Sequence, residues 1–125
     1  MNENELIGLL ESLRRMGSDD LSVEVKESAT TLSRDVWETV SAFANTAGGI
    51  IVLGVSERAG FVPVEDFETE KVLNQFVAGM GDAGGRGKLA NPPKYTIERV
   101  ELRGTVVLVI TIEELDPSSK PCYVI

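Results

Sequence analysis

The sequence predicts an α/β (α+β) fold: one domain, a mixed β-sheet with a βαβ crossover and a C-terminal hairpin, packed against two or three helices. Three observations carry this. With 125 residues and a 42% hydrophobic share, the chain has apolar material for one core and not for a second. An alternating segment at Leu21–Lys26, a helical pattern at Ser33–Thr46 and an apolar run at Ile50–Val55 follow one another closely, as in a strand–helix–strand crossover. Two alternating segments, Tyr95–Leu102 and Thr105–Ile112, are joined by Arg103-Gly104 alone, which reads as a hairpin.

The first element is a helix over Glu3–Met16. Leu6, Ile7, Leu9, Leu10 and Leu13 fall on one face, Glu3 and Glu5 sit early and Arg14 and Arg15 late, and Gly17 supplies a stop. In the strand that follows, Leu21, Val23 and Val25 alternate with Ser22, Glu24 and Lys26, so the three polar side chains share a face. The second helix spans Ser33–Thr46, with Val36, Trp37, Val40, Phe43, Ala44 and Ala47 at helical spacing. Ser33 is its expected N-cap, and Leu32 with Trp37 fits a hydrophobic staple. Gly48-Gly49 ends the helix and turns the chain into Ile50–Val55, apolar on both faces as a central strand should be.

Glu57–Gly60 reads as a turn and Phe61–Val64 as a short edge strand interrupted by Pro63. Val72, Leu73, Phe76, Val77 and Met80 mark a third helix from about Phe67 to Met80. Gly81–Pro93 is glycine-rich, ends in Pro92-Pro93, and reads as a long mobile loop. In the first hairpin arm the apolar phase changes between Ile97 and Val100, which predicts a bulge near Glu98-Arg99. Pro121–Ile125 looks like the opening of an edge strand. Residues 1–125 are therefore expected to form the N-terminal module of a longer protein.

Composition removes whole classes of chemistry. Twelve basic against twenty acidic residues give a net charge of −8, so any grip on nucleic-acid phosphates must come from a local patch. The absence of histidine excludes histidine acid–base chemistry, Ser-His-Asp or Cys-His nucleophiles and histidine metal ligation within this chain. A lone Cys122 makes neither an internal disulfide nor a zinc knuckle, and a reducing, cytoplasmic setting is expected. The apolar runs are too short to span a bilayer, so no membrane association is expected. Two glycine motifs fall away on context. Gly79–Gly84 matches G-x-G-x-x-G but follows a helix and leads into prolines; Gly87-Lys88 resembles the end of a P-loop, with Asp82 at the first glycine and Leu89 at the Ser/Thr.

Two sets of residues remain as candidates. Asp19, Asp20, Glu24 and Lys26 lie within eight residues, and Glu24-x-Lys26 puts carboxylate and ammonium on one strand face, the pairing that metal-dependent nucleases use. A solvated strand face with a weak ion pair explains the same spacing and is favoured by it. The more distant acid such a site needs has one candidate, Glu57. Arg86, Lys88 and Lys94 fall in or beside the glycine-rich loop and, with Lys26, are the candidate phosphate contacts; Arg34, Arg58, Arg99 and Arg103 read as dispersed.

Glu24-Val25-Lys26, the block Val40-Ser41-Ala42-Phe43-Ala44-Asn45-Thr46-Ala47-Gly48-Gly49 and the run Ile50–Val55 with Gly54 together resemble the Schlafen-type AlbA-like domain. The resemblance covers essentially the whole chain. It implies a DNA-binding or other nucleic-acid-binding regulatory module of a bacterial transcriptional regulator, with weak, salt-dependent binding of DNA or RNA. Phe43 and Ala44 continue the buried stripe, Gly48 and Gly49 serve backbone conformation and close approach, and Asn45 caps its own helix or holds the following turn. The animal Schlafen branch implies an alternative, a divalent-metal-dependent ribonuclease whose three carboxylates fall here on Asp19, Glu24 and Ser56 or Glu57. Serine is no carboxylate and Glu57 is displaced by one position, so no metal, no cofactor and no catalysis are expected. Mg²⁺ or Mn²⁺ enters only under that alternative. A third alternative is a protein-interaction or dimerisation module, a homo-oligomer pairing through late strands such as Val106–Ile112 and Cys122–Ile125.

Overall fold

The computed structural model describes residues 1–16 and 22–125; Asp19 and the predicted start of the first strand at Leu21 lie outside the described residues. Along the chain come α1 (Glu3–Met16), β1 (Val23–Lys26), α2 (Val36–Asn45), β2 (Gly49–Leu53), β3 (Val55–Ser56), β4 (Val62–Pro63), α3 (Thr69–Gly79), β5 (Leu89–Ala90), β6 (Tyr95–Leu102), β7 (Thr105–Ile112) and β8 (Tyr123–Val124). The central sheet has the order β1-β2-β7-β6; β1 runs parallel to β2 across the α2 crossover, and the other pairings are antiparallel. The predicted α+β class with a mixed sheet is the observed one.

Both faces of the sheet are covered, by different helices. Ile51, Leu53, Leu108, Ile110 and Ile112 point to the side of α2 and α3 and join Val36, Val40, Phe43 and Phe76. Val23, Val52, Val100, Leu102, Val107 and Val109 point to the other side and join Leu6, Leu10 and Leu13 of α1. This two-sided cover removes the predicted bulge. The β6–β7 register is unbroken from Tyr95↔Ile112 to Leu102↔Thr105. The apolar phase changes because Tyr95 and Ile97 face the α2–α3 core while Val100 and Leu102 face α1.

Four further expectations are corrected. The run Ile50–Val55 is not one strand: Gly54, at φ +97°, breaks it into β2 and β3, and a Cβ there would lie 2.7 Å from the Phe67 ring. Helix α2 starts at Val36, because the Ser33 hydroxyl is engaged with that of Ser28 at 2.9 Å and leaves the helix without a side-chain N-cap. Helix α3 starts at Thr69, since Phe67 is turned into the core ahead of it. The segment Gly81–Pro93 contains β5, paired with β8, and buries Leu89, so it is not a structureless loop. β7 lies between β2 and β6 and has no free edge to offer a second subunit; β1 and β6 are the outer strands.

Candidate nucleic-acid interface

Helices α2 and α3 meet through aromatic packing. Trp37 stacks on Phe76 with centroids 5.3 Å apart and planes at 22°. The indole also lies against Gly79, where a Cβ would come within 2.0 Å of the ring, so the last residue of α3 is held to glycine by contact alone. Above this junction the chain before α2 is tied to α3 by Gln75. Its Oε1 accepts the Leu32 N–H at 2.7 Å, and its Nε2 donates to Thr31 Oγ1 at 3.1 Å. Between the tied loop and the segment after α3 runs an open cleft of about 600 Å³.

Three cations line it: Arg34 from the loop before α2, and Arg86 and Lys88 from the segment after α3. All three side chains are exposed, none has an ion-pair partner among the described residues, and no carboxylate lines the cleft. Sequence spacing missed Arg34 because 51 intervening residues, Asp35 to Gly85, separate it from its neighbour Arg86 in the cleft. Only the packing of α2 on α3 brings them together.

The other predicted contacts are elsewhere. Lys26 shares the α2–α3 face with Glu24, as the alternation requires, but its Nζ lies 3.1 Å from Asp35 Oδ1 and 3.8 Å from Glu24 Oε1. Its side chain is only 9% exposed. Lys94 borders a separate depression among Glu113, Glu114 and Asp116.

Among the described residues, no third carboxylate joins Glu24 and Glu57 at the β1 edge. Glu24 and Glu57 border one small depression of about 50 Å³ with Val23 and Phe61. Ser56 is buried and donates to Glu27 Oε2 at 2.8 Å, and Arg58 Nε donates to the same oxygen at 3.0 Å. Those two hydrogen bonds hold the Glu27 carboxyl below the usual carboxylate range. Among the described residues, no three Asp, Glu, Cys or His side chains converge as a metal site. The Lys26 ammonium stands 3.8 Å from Glu24 Oε1, so the described carboxylate of the Glu24-x-Lys26 pair already has a cationic neighbour.

The block from Val40 to Gly49 has structural work throughout. Ser41 Oγ donates back to the Glu38 carbonyl at 3.2 Å. Thr46 Oγ1 donates to the Ala42 carbonyl at 2.8 Å and the Leu115 N–H reaches the Ala44 carbonyl at 2.9 Å, so the helix end is capped without Asn45. Asn45 instead binds the far end of the chain: its Nδ2 donates to the Cys122 carbonyl at 2.8 Å and its Oδ1 accepts the Cys122 N–H at 2.7 Å. Gly48, at φ +76°, passes so close to β7 that a Cβ would sit 2.6 Å from the Ile112 carbonyl oxygen; at Gly49 a Cβ would meet the Phe43 ring at 2.6 Å.

Comparison with known proteins agrees with this architecture. No curated protein matches the chain. Among solved structures, the N-terminal domain of a RecG-related protein from Nitrosomonas europaea is similar, with 24% identity and a TM-score of 0.72 over 94% of this chain and 78% of that one. The DIP2311 protein from Corynebacterium diphtheriae aligns with 15% identity and a TM-score of 0.46, over 97% of this chain and 24% of its own. The model of the family Schlafen, AlbA_2 matches residues 19–123, and the chain belongs to that family.

Proposed function

We propose that this domain is a nucleic-acid-binding regulatory module, the N-terminal part of a longer bacterial regulator, and that the α2–α3 cleft receives the phosphates. The observation that carries this is the convergence of Arg34, Arg86 and Lys88, all exposed, on a cleft where, among the described residues, they have no ion-pair partner and no carboxylate joins the lining. On a chain with net charge −8, such a strip is where a polyanion is tolerated, and the surrounding negative charge orients it there. The similar domain from Nitrosomonas europaea comes from a protein related by name to an ATP-dependent DNA helicase, which accords with a nucleic-acid partner. Binding rather than cleavage is favoured because the lysine of the Glu24-x-Lys26 pair is already held by Asp35 and Glu24.

Three phosphate contacts give weak binding, in the range of about 10⁻⁴–10⁻⁶ M, with a log–log salt slope of about −2.7 on duplex DNA. Titration of short duplex DNA and of hairpin RNA at low salt tests this. The expected result is binding that disappears in the Arg86→Ala/Lys88→Ala double variant. A folded sample that binds neither probe, or a double variant that binds as well as the parent, overturns it.

A further inference from the structure

We propose that Asn45 and strand β8 position the Lys88 wall of the cleft, so that the tail is a working part of the binding surface. The inference rests on the cleft reading above. It starts from the sequence around Lys88: Gly81, Gly84, Gly85 and Gly87 precede it, and such a segment has high conformational entropy, with Asp82, which accepts the Tyr95 hydroxyl at 2.7 Å, six residues before the lysine. Two backbone hydrogen bonds fix Lys88. Its N–H donates to the Gly79 carbonyl at the end of α3, at 2.7 Å, and its carbonyl accepts the Ile125 N–H at 2.9 Å. The second bond belongs to the β5–β8 ribbon, in which Leu89 faces Val124 and Ala90 faces Tyr123.

The ribbon is held from outside by side chains. Asn91 Nδ2 donates to the Pro121 carbonyl at 2.9 Å, and Cys122, 2% exposed, is packed in the same core cluster as Leu89. The decisive tie is Asn45. A primary amide sets an NH₂ donor beside a carbonyl acceptor, so Asn45 serves Cys122 as a missing strand neighbour would, satisfying its N–H and its carbonyl together. Aspartate at this position would accept the N–H and leave the carbonyl without a donor; alanine would serve neither. Helix α2 therefore contributes to the cleft at both ends. Trp37 lies on its first turn just after Arg34, and Asn45, at its last position, holds the tail that holds Lys88. With the tail docked, the backbone of Lys88 is ordered on folding, and that part of the ordering cost does not oppose binding.

The test uses the 125-residue chain with Asn45→Ala, and with Ile125→Pro, which removes the N–H that reaches Lys88 at a residue whose side chain is exposed. Short duplex DNA is titrated across a salt series, and amide hydrogen exchange is followed in β5 and β8. In both variants, exchange in the ribbon is expected to accelerate, and the salt slope to shrink in magnitude by about one unit, the loss of one phosphate contact. Adding Asn45→Ala to Lys88→Ala is expected to change the slope no further, since the asparagine acts through the lysine. If Asn45→Ala fails to fold, Ile125→Pro reads the same quantity. A freed tail with an unchanged slope, or a second full unit lost in the double variant, overturns the positioning role while leaving the cleft in place. Absence of binding by the parent chain removes the cleft reading itself, and this role with it.

Discussion

The Glu24–Lys26 face of strand β1 is turned to the same side of the central sheet as the α2–α3 cleft, and each carries cations, but the cations are in opposite states. Lys26 is almost buried, 3.1 Å from one carboxylate and 3.8 Å from another, in the short Glu24-x-Lys26 pattern whose spacing favours an ion pair on a strand face. Arg86 and Lys88 come from the glycine-rich segment and Arg34 from a distant loop, and all three reach solvent without a carboxylate among the described residues that line the cleft. The difference teaches where binding capacity comes from. A charge that is already neutralised and desolvated contributes to structure, while an exposed, unpaired charge retains its interaction for a ligand.

The largest test of this contrast is charge reversal in each region. Arg86→Glu with Lys88→Glu is expected to drop nucleic-acid binding below detection, because weak contacts of about 10⁻⁴–10⁻⁶ M cannot survive two reversed phosphate sites. Lys26→Met, in a parallel titration, is expected to leave affinity and salt slope unchanged. Equal losses in the two variants would erase the distinction between the regions.

The cleft floor comes next. Gly79→Ala places a Cβ 2.0 Å from the Trp37 ring, and the indole, stacked on Phe76, must shift to admit it. Overpacking of this kind costs about 1–3 kcal/mol. The expected outcome is a lowered thermal midpoint together with altered Trp37 fluorescence, which reports from the only tryptophan in the chain.

A smaller effect is expected at β1. Lys26→Met keeps the buried stem and removes the ammonium, leaving Asp35, 66% exposed, and Glu24 to water. The loss of stability is expected to be about 1 kcal/mol or less, measured by denaturant unfolding. A cost of several kcal/mol would show that the pair is a structural keystone.

The last prediction is invisible near neutral pH. Burial, reinforced by its 2.7 Å hydrogen bond to Asp82, pushes the Tyr95 hydroxyl up to about 12 from an ordinary value of 10.0. A raised folded-state value means that protonated Tyr95 supports the fold fully below pH 10.0 and loses that contribution as pH climbs through about 12. Tyrosinate absorbance in a Tyr123→Phe background is expected to show the late titration. Lowering the Tyr95 value with Asp82→Asn would confirm that the hydrogen bond contributes; an unchanged value would leave burial as the sole cause.

The helices and the hairpin were legible because their apolar spacing is local. Leu6, Leu10 and Leu13 repeat at helical intervals and are all buried in one cluster. Misjudged details came from tertiary context. The phase change in β6 mimics a bulge, since a one-dimensional pattern cannot show that two different helices cover opposite faces of one strand. The segment after α3 looked like a bare loop because its strand partner, Tyr123–Val124, lies more than thirty residues further along.

The sequence by itself determined the class of fold, the family motif and the exclusions, because these depend on residue types and on neighbours a few positions apart. It also restricted nucleic-acid contact to a local patch, through a net charge of −8. Only the tertiary structure decided which cations make that patch. Lys26 became neutralised against Asp35 when the crossover closed, Lys94 settled among acids, and Arg34 was carried to Arg86 and Lys88 by the stacking of Trp37 on Phe76. It likewise gave Asn45 a partner 77 residues away. Electrostatic availability is a property of distances through space, and those distances exist only once the two helices and the tail have packed.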